Sequence, residues 1–171
     1  MKKPASFLLA LFLLALAVPA VAQQPQQPPP TPTPTPEERL RSSWNDTMKK
    51  LVEMAEDFPE DKYTFKPHPD SRSFGEELTH VAAVNTRLAR QAKGEAVDNT
   101  ALQKEFVYVS KADTVAKLKK SVEDVKAVVD APDCLRLIGA LEHAGEEYGK
   151  LTIHYRVNGL VPPRSRRQAE N

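Results

Sequence analysis

The sequence predicts an all-α domain built as a four-helix bundle. Apolar residues recur at helical spacing in four separate segments, and glycine and proline cluster between those segments rather than inside them. The only strand-like run, residues 106–109, is short. Four amphipathic helices in one domain must bury their apolar faces against one another, which is the arrangement of a helix bundle.

The first 22 residues have the three parts of a secretory signal peptide. Two lysines give a positive start at positions 2–3, residues 7–18 are apolar, and Ala20-Val21-Ala22 is a small-residue cleavage site. The apolar part is short for a membrane span, and a retained membrane anchor is the alternative interpretation. We therefore expect an exported protein, periplasmic or secreted, in a bacterium.

A change in composition separates this segment from the folded part of the chain. Residues 23–36, QQPQQPPPTPTPTP, have no apolar side chain to bury and favour extended conformations, so we predict a disordered linker there. Residues 37–165 have the length of a single domain. Residues 166–171 form a basic C-terminal tail.

The first predicted helix covers residues 37–57. Pro36 precedes it, and Glu37 and Glu38 suit the positive end of the helix dipole. A loop rich in proline and aspartate follows over residues 59–72. The apolar stripe of this helix comprises Leu40, Trp44, Leu51, Ala55 and Phe58.

The second predicted helix follows Ser73, an N-cap residue with Glu76 three positions later as its capping-box partner. The helix ends near Gly94, and residues 95–109 form an irregular connection. Its apolar stripe comprises Phe74, Leu78, Val81, Ala82, Leu88 and Ala89.

Ser110 is the predicted N-cap of a third helix over residues 111–129. Pro132, with Asp130 or Asp133 near the cap, predicts the start of a fourth helix. The apolar stripe of the third helix comprises Val115, Leu118, Val122, Val125 and Val129.

The fourth predicted helix covers residues 132–157. Asn158-Gly159 can adopt the left-handed cap, and Pro162-Pro163 prevents the helix from continuing. Cys134 lies in the first turn; as the single cysteine it can form no internal disulfide, and we interpret it as a half-buried packing residue. The apolar stripe comprises Leu137, Ile138, Leu141, Tyr148, Leu151 and Tyr155.

The charge balance bears on the class of partner. The chain has 24 lysines and arginines beside 23 acidic residues, and the signal peptide contains two of the lysines. A balance this close to neutral gives no electrostatic reason to expect nucleic-acid binding. We expect a small-molecule substrate, no nucleic acid, and no membrane contact after signal cleavage; a homodimer is compatible with the sequence.

Histidine and glutamate recur on one face of the fourth predicted helix. His143, Glu147 and His154 lie within ~40° of one another at ~100° per residue, and ~140° from the centre of the apolar stripe. His80, in the second predicted helix, has a similar offset from its own stripe. Two such polar stripes can meet at one edge of the bundle and bind Zn, Ni, Fe or Mn. The alternative is that both stripes face solvent, with His143 and Glu147 an ordinary i, i+4 pair.

Several segments resemble the DinB-like superfamily of four-helix-bundle proteins. They are the loop Asp61-Lys-Tyr63-Thr-Phe65-Lys-Pro67, the helix start Ser73-Phe74-Gly75-Glu76, and the tail Tyr148-Gly149, Arg156, Asn158-Gly159 and Pro162-Pro163. The resemblance covers most of the folded domain and implies a four-helix bundle with metal ligands at His80 and His143. Glu147 stands in the third ligand position, where family members typically carry histidine. Two histidines and one carboxylate leave coordination positions open for water or substrate.

This resemblance implies a divalent-metal-dependent hydrolase or a thiol-dependent transferase, in which the metal activates water or a thiol. The alternative is a non-catalytic exported bundle whose metal site has decayed. Glu147 and the mid-helix Gly145 favour decay, whereas His80 and His143 favour a working site. His154 lies about 10 Å along the axis from Glu147, so joint ligation would strain the geometry.

Overall fold

A computed structural model describes residues 32–169 of the chain. Contacts between Cα atoms divide the chain into two units, Met1–Thr33 and Pro34–Asn171, and the second contains all the helices described. The predicted signal peptide and most of the predicted linker lie outside the described residues. No helix in the described part is long and apolar enough to cross a membrane.

Four long helices and two short ones form the second unit. The long helices are α1 (Pro36–Asp57), α2 (Phe74–Ala92), α4 (Lys111–Val129) and α5 (Ile138–Val157), and the short ones are α3 (Asn99–Glu105) and α6 (Pro163–Ala169). Short 3-10 turns precede α2 and α5, at Glu60–Lys62 and Cys134–Leu137. No strand occurs between residues 32 and 169. The prediction of an all-α bundle is therefore confirmed.

The long helices bury their apolar stripes against one another. The most extensive interface joins α2 to α4, α1 contacts both α4 and α5, and α2 also contacts α5. The predicted stripes supply most of this core, which includes Leu40, Trp44, Leu51, Leu78, Leu118, Val125 and Leu151. The α2–α5 contact is the one that places the candidate site.

An aromatic cluster fixes one end of α2 relative to α1 and α5. Phe58 stacks on Phe74 with ring centroids 3.7 Å apart, and Tyr155 lies 5.1 Å from Phe58. The Tyr155 hydroxyl donates to the carbonyl of Met54 at 3.1 Å, which ties α5 to the last turns of α1. Since Phe74 is the first residue of α2, this packing sets the start of that helix within the bundle.

The helix starts and stops follow local sequence signals. The hydroxyl of Ser73 accepts from the backbone N–H of Glu76, and the Glu76 carboxylate accepts from the N–H of Ser73, so the predicted capping box is present. Gly94 and Gly159 have φ angles of 75° and 73°, the left-handed conformation that ends α2 and α5.

Three details of the helix assignment differ from the sequence prediction. The last long helix begins at Ile138 rather than near 132, because Asp133 makes no capping hydrogen bond and a 3-10 turn intervenes. Within the connection predicted to be irregular, Asp98 caps α3 by accepting from the N–H groups of Thr100 and Ala101. The helix α6 extends past residue 166, where the basic tail was predicted to begin. Arg166 donates a hydrogen bond to Asp57 at 2.6 Å, which ties this helix to α1.

Candidate metal centre

Two adjacent helices supply the candidate ligands. His80 lies in the second turn of α2, and His143 and Glu147 lie one turn apart on α5. Residues four apart on a helix face the same side, so the two α5 side chains point toward α2 together. The structure therefore brings together His80, His143 and Glu147, the ligand set that the family resemblance implies.

The ligand atoms converge on one point. The Nε2 atoms of His80 and His143 are 3.1 Å apart, and the Oε1 atom of Glu147 is 3.4 Å from His143 Nε2 and 4.0 Å from His80 Nε2. The two imidazole side chains are 31% and 29% exposed, whereas the Glu147 side chain is 2% exposed. The solvent-facing alternative predicts neither this convergence nor this burial.

These residues fit a divalent metal ion. Nitrogen and oxygen ligands about 2.0–2.2 Å from a tetrahedral metal lie roughly 3.3–3.6 Å from one another. Two of the observed separations, 3.1 and 3.4 Å, are close to this range, and the third, 4.0 Å between His80 and Glu147, is longer. The Oε2 atom of Glu147 is buried and accepts no hydrogen bond from an N–H or hydroxyl group, so only another carboxyl or a metal ion can be its partner. In the described part of the chain, His80, His143 and Glu147 form a group that can hold a metal ion.

A family comparison covers these residues. The model of the DinB superfamily matches residues 39–155, a span that runs from α1 into α5 and includes all three candidate ligands. The chain belongs to the DinB superfamily. No curated protein and no solved structure matches the chain significantly.

A second carboxyl belongs to the site of this DinB-superfamily chain, and sequence reasoning missed it. Glu77 is 5% exposed, lies one turn before His80 on α2, and shares a hydrogen bond with Glu147. The Nη1 atom of Arg72 is 3.1 Å from Glu77 Oε2. The Glu-x-x-His spacing of Glu77 and His80, which puts both side chains on one helix face, is the signal that could have identified it.

The electrostatics of the site separate its two carboxyls. Burial, followed by the hydrogen bond and charge of Glu147, raises the pKa of Glu77 despite Arg72. Burial alone would raise the pKa of Glu147 too, but hydrogen bonds from Glu77 and Lys150 outweigh it and lower that pKa. When the pair holds one proton, that proton resides on Glu77, and Glu147 is the ionised member, as metal ligation requires.

The histidine of α2 is also in the form that a metal binds. Burial, with a further contribution from the charge of Arg72, lowers the pKa of His80 to about 4. The imidazole is consequently neutral at pH 7. Because its Nε2 faces that of His143 at 3.1 Å, one of the two rings must donate to the other when no metal lies between them.

A lysine competes for the same carboxylate oxygen. The Nζ atom of Lys150 is 2.7 Å from Oε1 of Glu147, the oxygen that also faces the two histidines. The Lys150 side chain is 47% exposed, so its ammonium reaches the buried carboxylate from the solvent side. A metal that binds Oε1 must share this oxygen with the ammonium or displace it.

His154 does not join the candidate ligands. It is 1% exposed and packs edge-on against Phe65 and Phe74, with ring centroids 6.1 and 5.7 Å apart. Its Nδ1 is buried without a hydrogen-bond partner, and burial lowers the pKa of the imidazole. Helical spacing had grouped His154 with Glu147, but the loop before α2 covers it. Cys134, predicted to be half-buried, is fully buried in the 3-10 turn before α5.

Proposed function

We propose that this DinB-superfamily protein binds one divalent metal ion through His80, His143 and Glu147. The observation that carries the proposal is the convergence of two imidazole nitrogens and one ionised, buried carboxylate from adjacent helices. A facial set of two histidines and one carboxylate suits Fe, Mn, Ni or Zn and leaves other coordination positions open.

We propose further that the protein is a metal-dependent hydrolase or a thiol-dependent transferase acting on a small molecule. When bound, the metal would supply Lewis acidity and lower the pKa of a coordinated water or thiol. The chain's own residues hold the ligands in register: Arg72 orients Glu77, and Glu77 in turn hydrogen-bonds Glu147. Such outer hydrogen bonds orient the ligands of metal sites.

Melting of the purified full chain with and without each metal tests the binding proposal. A metal that binds only the native state raises the melting temperature by mass action. His80→Ala and His143→Ala should abolish the rise, while Glu147→His should keep it and shift the preference toward Zn. His68→Ala, which changes an exposed loop histidine, is the matched control and should respond like the wild type.

The second candidate function is a non-catalytic bundle in which the metal site has decayed. The observation that favours it is the position of Lys150, whose ammonium already neutralises Glu147. Under this alternative the wild type shows no metal-dependent stabilisation, and Glu147→His restores one. If metal stabilises neither the wild type nor Glu147→His, both the working-site and the decayed-site hypotheses are wrong.

Export is a separate proposal that depends only on the sequence of residues 1–22. A positive start, an apolar stretch and an Ala-x-Ala site support signal cleavage after Ala22. Mass spectrometry of the protein recovered from the exported fraction of an expressing bacterium should find Gln23 at the N-terminus. Recovery of intact chain beginning at Met1 in the cytoplasm would contradict this proposal.

A further inference from the structure

A cleft runs along α2 from His80, the α2 residue of the candidate metal centre. Two cavities, of about 250 and 610 Å³, both border His80, Ala83 and Gln103, and so form two lobes of one depression. The smaller lobe lies between α2 and α3. His80 and Arg87 stand at positions i and i+7 of α2, so the same helix face leads from the metal ligand to Arg87.

Arg87 is distinctive among the residues that line the smaller lobe. Within residues 32–169 its guanidinium makes no hydrogen bond or ion pair, and its Nε is buried without a partner. Arg90, one turn along the same helix, is by contrast paired with Glu105 at 2.9 Å. No acidic residue of the described chain lines the smaller lobe, whose wall carries the amide side chains of Asn99 and Gln103.

We propose that this lobe binds the carboxylate of a small organic anion whose reacting group lies at the metal. A guanidinium recognises a carboxylate through two parallel, charge-assisted hydrogen bonds. One unpaired positive charge matches a monoanionic carboxylate, whereas a phosphate dianion calls for further cations that this lobe lacks. The amides of Asn99 and Gln103 can hydrogen-bond polar groups along the same molecule.

The spacing sets the size of the anion. Seven residues of α-helix span about 10 Å, and arginine side chains lean toward the helix N-terminus, so the carboxylate lies somewhat less than this from the metal. This inference rests on the proposed metal site, because the metal holds the other end of the molecule.

A pair of hydroxamates tests the proposal, since a hydroxamate chelates each of the metals considered. In both probes a chain of about five carbons follows the hydroxamate, a length that matches the helical spacing between His80 and Arg87. One probe ends in a carboxylate and the other in a primary amide. Calorimetry on the metal-loaded full chain should find the carboxylate probe bound about tenfold more tightly. Arg87→Met should remove this preference and leave the affinity for the amide probe, whereas the matched control Arg90→Met should retain the preference.

Three other results of this experiment would bear on the role of Arg87 and on the class of anion. Equal affinities in the wild type, or a preference that survives Arg87→Met, would overturn the proposal. If Arg87→Met does not fold by circular dichroism, Arg87→Lys should still reduce the preference, because lysine lacks the planar fork. A phosphate-ended hydroxamate that binds more tightly than the carboxylate would overturn the assignment of a carboxylate.

Failure of the metal proposal would give a different result from failure of the anion proposal. In that case neither hydroxamate binds any variant, and the anion site is tested without metal. Nuclear magnetic resonance titration of the full chain with hexanoate should then shift signals of α2 and α3 in the wild type but not in Arg87→Met. Absence of these shifts in the wild type would overturn the anion site as well.

Discussion

Lys150→Met should have opposite effects on the metal-free protein and on metal binding. Removal of the ammonium leaves the Glu147 carboxylate, 2% exposed, without its cation. Breaking a fully buried ion pair costs about 3–5 kcal/mol, and because Lys150 is about half exposed we expect a loss of roughly 2 kcal/mol. For a chain of this size, that is a fall in melting temperature of about 6 °C.

The same change should strengthen metal binding. The metal would no longer compete with an ammonium for Oε1 of Glu147. If displacement of a half-exposed ammonium costs up to about 1 kcal/mol, its removal tightens the dissociation constant by up to about fivefold. Thermal melting measures the first effect, and calorimetric titration with the metal measures the second.

A matched control separates this effect from the loss of any lysine. Lys120 pairs with Asp124 on the surface of α4, also within one helical turn, at 2.6 Å. Lys120→Met should cost only a few tenths of a kcal/mol and leave metal affinity unchanged. If Lys150→Met costs no more than Lys120→Met, the interpretation of Glu147 as a buried charge held by Lys150 is wrong.

Three further changes test the surroundings of the site. Burial and the hydrogen bond and charge of Glu147 raise the pKa of Glu77 in the native state, so the native state loses stability as pH rises through this pKa. Glu77→Gln removes the titrating group, and in urea unfolding it should stabilise the protein by about 1 kcal/mol at pH 7 and by less near pH 4. Burial lowers the pKa of His154 in the native state, so the unfolded chain takes up a proton first as pH falls below about 6.5. The wild type should therefore lose stability from pH 7 to pH 5 more steeply than His154→Leu. A Cβ at position 75 would overlap the ring of Tyr108, so Gly75→Ala should lower the free energy of unfolding by about 1–2 kcal/mol. The same change should have little effect in a Tyr108→Ala background. An equal loss in both backgrounds would contradict this explanation.

The fold could be predicted because its determinants are local. Ser73 with Glu76, Ser110, Gly94 and Gly159 each act within one helical turn, and each marks the helix end that the structure has. The start of α5 could not be predicted in this way. Pro132 and Asp133 look like the start of a helix, but the chain first makes a 3-10 turn, and Cys134 and Leu137 in that turn are buried.

The site could be predicted only in part, because helical spacing gives the face of a residue but not what covers that face. Spacing grouped His143, Glu147 and His154, and the structure separates them through the contacts of α2 and the loop before it. Lys150 carries no distinctive motif, and the Glu-x-x-His spacing of Glu77 and His80 does not by itself separate a buried glutamate from a solvated one, since a glutamate and a lysine on helices are ordinarily solvated. Their roles arise only when α2 and α5 pack together.

The metal content of the purified full chain tests the proposed function most directly. The protein is equilibrated with a mixture of Zn, Ni, Fe and Mn ions, dialysed, and subjected to elemental analysis beside His80→Ala, His143→Ala and the control His68→Ala. We predict one bound divalent ion per chain in the wild type and the control, and none in the two site variants. No bound metal in the wild type, or equal metal content in all four proteins, would contradict a metal centre at His80, His143 and Glu147.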